Sequence, residues 1–83
     1  MNFSVVIVAF KSGHLLEKLI SSIPKSYEII IIENSLDKEI KNKFQKYNNI
    51  RVFIPEENLG YGKSFNLGLS MSANKFTCFL SPD

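Results

Sequence analysis

Polar side chains stand directly after apolar runs of this chain, at the points where β-strands would end. Asp83 follows the run at residues 76–80, and Glu33 and Ser35 follow the run at residues 27–32. In an open α/β sheet, ligands bind at the carboxyl ends of the strands. These polar side chains, and above all Asp83, are therefore candidate functional residues.

A glycine-bearing turn supplies a second group of candidate residues. Asn58, Gly60 and Gly62 precede a predicted helix that begins at about Lys63. Glycines let the backbone turn sharply and approach a ligand, and the start of a helix presents free N–H groups to an anion, to which Lys63 adds a positive charge. Turn chemistry alone favours the alternative in which the glycines only make the turn, so both interpretations stay open.

Two phosphate-binding motifs are matched only in part. Residues 62–64 (GKS) resemble the end of a Walker A loop, but that motif requires a glycine where this chain has Glu57. Residues 60–62 (GYG) could begin a dinucleotide fingerprint, but Phe65 stands at the third glycine position and the turn follows the third strand. Neither a P-loop nor a Rossmann cofactor site is expected.

The composition is that of an ordinary globular chain, with 45% hydrophobic and 22% charged residues. The net charge of +2 is small and the lysines are spread along the chain, which argues against a nucleic-acid-binding surface. Cys78 is the only cysteine, so the chain can form no internal disulfide, and a reducing, cytoplasmic setting is expected. His14 has no second ligand nearby in the sequence and is interpreted as a solvated or packing residue.

The N-terminus runs directly into an apolar strand and lacks the regions of a signal peptide. No apolar run approaches the roughly 20 residues that a membrane-spanning helix needs.

Apolar periodicity predicts four strands that alternate with three helices. The strands are expected at residues 3–10, 27–32, 50–54 and 76–80, and the helices at residues 14–23, between residues 35 and 48, and at about residues 63–73. The nearly continuous β-branched runs are typical of strands covered on both faces, whereas Arg51 in the alternating third strand favours an edge. The order predicts an α/β fold, a three-layer parallel sheet with strand order 3-2-1-4, which places the polar strand tips along one rim.

The spacing within the second helix predicts its cap and its packing. Ser35 is the expected N-cap, Asp37 lies in the first turn, and Glu39 and Lys43 form an i,i+4 pair. The expected buried face consists of Leu36, Ile40, Phe44 and Tyr47.

The third helix has a predicted apolar face made of Phe65, Leu69 and Ala73. Gly68 lies in the middle of this helix, where glycine costs about 1 kcal/mol relative to alanine. It predicts close packing of the helix against the sheet.

Four short blocks of the chain carry a resemblance to a known family. They are residues 3–10, residues 30–37 (IIIENSLD), the pattern Asn58-x-Gly-Tyr-Gly-x-x-x-Asn66-x-Gly68, and residues 79–83 (FLSPD). Together and in this order they resemble the N-terminal blocks of family 2 glycosyltransferases, especially the rhamnosyltransferase-like branch. Each block is a weak signal alone, but the four cover essentially the whole chain.

The resemblance implies a nucleotide-diphospho-sugar donor site on a glycosyltransferase A-type fold, of which residues 1–83 would be the incomplete N-terminal part. By this resemblance Ala9 and Phe10 line the base pocket, Glu33 contacts the base, and Asp83 ligates Mg²⁺ or Mn²⁺ as the last acid of the metal motif. The expected donor-binding residues are Ala9, Phe10, Glu33, Ser35, Asn58, Gly60 and Lys63, and the expected metal ligand is Asp83.

Three positions depart from the family pattern. Glu33 replaces the more common Asp, which would push the carboxylate deeper into the pocket. Phe65 stands where many relatives carry an Arg, so that nucleotide contact is absent. Ser81 replaces the first acid of the metal motif, a position that the rhamnosyltransferase-like branch fills with various polar residues.

The expected parent enzyme transfers a sugar to a polysaccharide or lipid-linked acceptor with inversion, either in the cytoplasm or at the inner face of the membrane. No residue of this chain matches the catalytic base of the family, and no activity is expected from the chain alone. The alternative is a non-catalytic nucleotide-binding module that self-associates through the exposed edge of the fourth strand. A nucleotidyltransferase is less favoured, because residues 10–13 are too short for its glycine-rich loop.

Overall fold

The computed structural model describes residues 3–74 and 76–80, and the predicted metal ligand Asp83 and its neighbour Ser81 lie outside them. Strands and helices alternate along the chain. They are β1 (Phe3–Ala9), α1 (Gly13–Ser21), β2 (Glu28–Glu33), α2 (Lys38–Phe44), β3 (Ile50–Phe53), α3 (Gly60–Met71) and β4 (Phe76–Leu80).

The strands form one parallel sheet in the order β3-β2-β1-β4. Val5 of β1 lies opposite Ile29 of β2, and Ile29 lies opposite Ile50 of β3. β4 runs parallel to β1 on its other side, with Phe3 opposite Phe76. The prediction of a parallel α/β sheet is therefore confirmed, and β1 and β2 have a neighbouring strand on each side.

Helices cover both faces of the sheet, which gives three layers. On one face α1 and α2 contribute Leu16, Ile40 and Phe44 to the larger apolar core. On the other face α3 lies against Val6, Ile30 and Ile32. Burial on both sides explains why residues 5–8 of β1 and residues 29–32 of β2 are all β-branched.

Gly68 allows α3 to approach β1 very closely. A Cβ atom placed on Gly68 would lie only 2.3 Å from Cγ1 of Val6. The predicted close packing of the helix is thus confirmed.

The buried face of α3 nevertheless differs from the prediction. Ser64 and Gly68 are the buried residues of the helix, whereas Leu69 is 50% exposed and Ala73 lies beyond the last turn. Small residues face the sheet because only they permit this short separation. The expectation that Phe65, Leu69 and Ala73 form the inner face was wrong for the last two, and Phe65 packs at its margin.

Helix α2 also begins differently from the prediction. Asp37, not Ser35, is the N-cap, and its carboxylate accepts a hydrogen bond from the N–H of Glu39 at 2.9 Å. Leu36 therefore precedes the helix, has a left-handed backbone with φ of 62°, and is 43% exposed.

Two further expectations for α2 were wrong. Tyr47 lies beyond the end of the helix and is 49% exposed. Lys43 pairs with Glu17 of α1 at 2.9 Å rather than with Glu39, because the packing of α1 beside α2 brings the two side chains together.

A network of hydrogen-bonded polar side chains lies at the amino ends of the strands. Glu28 accepts hydrogen bonds from the Ser4 hydroxyl at 2.6 Å, the Ala73 N–H at 3.0 Å and Arg51 at 3.1 Å. Burial raises the pKa of Glu28, but these hydrogen bonds and the charge of Arg51 outweigh it, so the pKa lies below its ordinary value. Arg51 also donates to the carbonyl of Met71, which ties the edge strand β3 to the end of α3.

Among residues 3–74 and 76–80, no helix is both long and apolar enough to cross a membrane.

Candidate functional site

The carboxyl ends of β1 and β2 lie side by side. Ala9 is opposite Glu33 in the register of the two strands, and both residues are fully buried. The N–H of Asn34 donates to the carbonyl of Ala9 at 2.8 Å, so the pairing extends one residue beyond β2. The strand tips predicted to carry a site are thus adjacent.

The carboxylate of Glu33 has two unlike oxygen atoms. Oε2 accepts hydrogen bonds from the Ser35 hydroxyl at 2.5 Å and from the Asp37 N–H at 3.0 Å. Oε1 is buried and has no hydrogen-bond partner within the described part of the chain. A buried polar atom without a partner is unusual, since unmade hydrogen bonds in the interior are costly. It marks a position where a ligand N–H or O–H could bind.

Ser35 connects the two strand tips. Its hydroxyl donates to Glu33 and accepts a hydrogen bond from the N–H of Lys11 at 3.2 Å. Lys11 adopts a left-handed backbone with φ of 53°, which is uncommon for a residue with a side chain. The loop after β1 is therefore held against the residues that orient Glu33.

A cleft of about 470 Å³ opens beside these residues. It is lined by Lys11, Ser12, Gly13, Glu33, Ser35, Asp37 and Ile40. Ala9 lies buried at the end of β1, and Phe10 is 50% exposed, with the Lys11 ammonium 5.3 Å from the centre of its ring. Glu33 and Ser35, both predicted site residues, therefore share one cleft, which lies at the end of the sheet where α/β proteins bind ligands.

The start of α3 forms the second group of predicted residues. Asn58 accepts a hydrogen bond from the N–H of Gly60 at 2.9 Å, and Gly60 has φ of 76°, a conformation that favours glycine. Leu59 occupies the N-cap position and provides no side-chain cap. Lys63 is exposed on the first turn of the helix. The helix begins at Gly60, earlier than predicted, so Gly62 lies within it and not in the turn.

Asn34 joins the two groups and was not among the predicted site residues. Its amide nitrogen donates to the hydroxyl of Ser64 at 2.7 Å, and its amide oxygen accepts from the N–H of Leu59 at 3.2 Å. Ser64 in turn donates to the carbonyl of Gly60 at 2.6 Å. The position of Asn34 between two predicted residues was the available signal, but its partners lie 25 to 30 residues away.

The described residues do not by themselves form a metal site. Residues 3–74 and 76–80 contain no group of three His, Cys, Asp or Glu side chains placed to hold an ion. His14 is exposed on α1, in agreement with its interpretation as a solvated residue.

The chain is an α/β domain with a parallel sheet, and its polar cleft lies at the carboxyl ends of the strands, where proteins of this class bind ligands. The sequence model described as Glycosyl transferase family 2 matches residues 4–83. The chain therefore belongs to glycosyl transferase family 2, which implies a glycosyltransferase that uses a nucleotide-sugar donor and an acceptor. No curated protein matches the chain.

Proposed function

We propose that the chain is the donor-binding part of a glycosyltransferase A-type enzyme of the rhamnosyltransferase-like branch, and that it binds a nucleotide-diphospho-sugar. The observation that carries this proposal is the buried Oε1 atom of Glu33, which lies beside the cleft and has no hydrogen-bond partner among residues 3–74 and 76–80. A base N–H at this atom would supply the missing hydrogen bond. Because surrounding residues shield Oε1 from water, the loop after β1 is expected to shift on binding, while the Glu33 carboxylate keeps its hydrogen bonds to Ser35 and Asp37.

The proposed path of the donor runs from Glu33 towards the start of α3. The base lies next to Glu33 and Ser35, with Ala9 and Phe10 at its border. The diphosphate lies towards Asn58, Gly60 and Lys63. A helix start and a nearby ammonium favour an anion there. The hydrogen bonds of Asn34 support this direction, because they hold the start of α3 against the residue that follows Glu33.

For the metal we propose Asp83 as a ligand of Mg²⁺ or Mn²⁺. A carboxylate oxygen is the donor that both ions prefer, and a bound ion would neutralise charge on the departing diphosphate. The family membership supports this assignment, since Asp83 falls within the matched range.

The proposed reaction of the intact enzyme is transfer of the sugar, with inversion, to a polysaccharide or lipid-linked acceptor in the cytoplasm or at the inner membrane face. No residue of this chain is assigned as catalytic base, so residues 1–83 alone are expected to transfer no sugar. Sugar transfer by this chain to any acceptor would contradict that expectation.

The direct test is a binding titration of the 83-residue chain with UDP, dTDP and GDP, each with and without Mn²⁺. Saturable binding of at least one nucleotide, weakened at least about tenfold in Glu33→Gln, is expected because the amide would present a donor where the base needs an acceptor. Glu17→Gln is the matched control, since Glu17 is exposed on α1 and forms an ion pair with Lys43. Absence of binding by all three nucleotides would overturn the proposed function.

A second candidate function is a self-associating, non-catalytic module. It is favoured by the position of β4 at one end of the sheet, where β1 is its one neighbouring strand among the described residues. An edge strand can pair with a second chain. Analytical ultracentrifugation distinguishes the two: a concentration-dependent dimer without nucleotide binding supports the module, and a monomer that binds nucleotide supports the transferase.

A further inference from the structure

We propose that Ser35 is a positioning residue whose hydroxyl occupies one oxygen of the Glu33 carboxylate and leaves the other oxygen free. The site thereby prefers a base with one imide N–H, as in uracil or thymine, over guanine. This inference rests on the proposed function, because it assumes that a nucleotide base binds beside Glu33. It assigns Ser35 a role through Glu33 and not through contact with the ligand.

The two oxygens of the Glu33 carboxylate differ in the hydrogen bonds that they accept. Oε2 of Glu33 already receives two donors, the Ser35 hydroxyl at 2.5 Å and the Asp37 N–H at 3.0 Å. Each carboxylate oxygen offers about two acceptor sites, so Oε2 is saturated. Oε1 has no partner among the described residues. A ligand therefore finds one free oxygen and not a pair.

Hydrogen bonds hold the Ser35 hydroxyl and the Glu33 carboxylate in one orientation. A serine hydroxyl has a single hydrogen, and that of Ser35 is committed to Glu33. The same oxygen accepts from the N–H of Lys11, which belongs to the loop after β1. The orientation of the hydroxyl is therefore fixed from two strand ends, and the Glu33 carboxylate cannot rotate without losing these bonds.

The nucleotide bases differ in the number of hydrogen-bond donors that they present to a carboxylate. Guanine presents two parallel donors, N1–H and an amino N–H, which match both oxygens of a carboxylate. Uracil and thymine present a single imide N–H. At an acceptor with one free oxygen, guanine would keep one donor unpaired in a buried position, and such a loss is expected to weaken binding at least about tenfold.

The test compares dissociation constants for UDP and GDP, whose diphosphates are identical, in the 83-residue chain and three variants. Ser35→Ala releases one acceptor site on Oε2, so the preference for UDP over GDP is expected to fall towards unity. Ser35→Thr keeps the hydroxyl and should retain the preference. Ser21→Ala is the control, because the exposed Ser21 hydroxyl donates only to the carbonyl of Lys18. Thermal unfolding of each variant reports whether the fold is intact.

The outcomes separate this inference from the proposed function. If the unaltered chain binds neither nucleotide, the proposed function fails and the inference fails with it. If the chain binds UDP and GDP equally well, the donor-site proposal stands and the base preference is overturned. If UDP is preferred but Ser35→Ala keeps the same ratio while remaining folded, the positioning role of Ser35 is overturned. A reduced ratio in Ser35→Ala that Ser35→Thr restores supports it.

Discussion

The side-chain amide of Asn34 donates a hydrogen bond to the hydroxyl of Ser64 at 2.7 Å, in the interior between the sheet and α3. The Ser64 hydroxyl in turn donates a hydrogen bond to the carbonyl of Gly60, so the two bonds together connect the end of β2 with the first turn of α3. The residues on either side of Asn34 are Glu33 and Ser35, which line the cleft. One buried amide thus sets the distance between the cleft and the start of α3.

This connection predicts a loss of stability in Ser64→Ala. The substitution would remove the acceptor of the buried Asn34 amide, and an unsatisfied buried donor costs about 1–3 kcal/mol. Chemical denaturation measures the difference in free energy of unfolding. Ser70→Ala is the control, because Ser70 is exposed on the same helix and donates only to the carbonyl of Leu67, and its effect should stay within about 0.5 kcal/mol. Equal effects of the two substitutions would contradict the assigned role of the Asn34–Ser64 bond.

Two of the three glycines of α3, Gly62 and Gly68, are expected to respond to alanine in opposite directions. Gly68→Ala would place a methyl group 2.3 Å from Cγ1 of Val6, and such overpacking costs about 1–3 kcal/mol. At Gly62 the added methyl would meet no described atom within 4 Å apart from its chain neighbours and the nearby helix backbone, so Gly62→Ala should stabilise the helix by up to about 1 kcal/mol. Parallel thermal or urea unfolding of the two variants tests this. A neutral Gly68→Ala would mean that α3 can move away from the sheet without loss.

The network around Glu28 predicts a pH-dependent stability. Its hydrogen bonds and the charge of Arg51 lower the pKa of Glu28 in the folded chain despite its burial. A lowered folded-state pKa gives stability that is present above the ordinary pKa of a glutamate, about 4.3, and is lost as the pH falls through the folded value. Urea unfolding between pH 7 and pH 3 should show a smaller decline in Glu28→Gln than in the unaltered chain.

The control for this pH series is Glu17→Gln, which removes a carboxylate from an exposed ion pair. Exposed pairs contribute little, so its pH profile should follow that of the unaltered chain. Identical profiles for all three proteins would show that Glu28 is not the group responsible.

The proposed role of Asp83 as a metal ligand predicts that Asp83→Asn loses the effect of Mn²⁺ on nucleotide binding. Mn²⁺ should tighten UDP binding in the unaltered chain, and this metal-dependent part should disappear in the variant, because a neutral amide is a poorer ligand for a hard cation. Binding of UDP without metal should remain. Isothermal titration with and without Mn²⁺ measures both quantities. If Mn²⁺ tightens binding equally in Asp83→Asn, the ion is held by other groups.

Helix positions show how far local pattern predicts the packing of this chain. Ile40 and Phe44 are buried as their spacing indicates, since a helical stripe faces the sheet wherever the helix lies. Leu36 fits the same spacing but is exposed, because Asp37 caps the helix and the preceding residue turns away from it. The residue at which a helix begins depends on which of several nearby polar side chains caps it. The periodicity of apolar residues alone does not predict that choice.

The sequence by itself determined the parallel α/β arrangement, the polar strand tips and the family, because each of these depends on runs of neighbouring residues. β-branched runs specify buried strands, and Glu33 follows one of them directly. Only the tertiary structure decided that Ser35 and Asp37 saturate Oε2 of Glu33, that Oε1 has no partner in the part of the chain that the structure describes, and that Asn34 contacts Ser64. These features depend on atomic distances of under 3.5 Å between groups that the chain brings together only on folding, and such distances leave no periodic signal in a sequence.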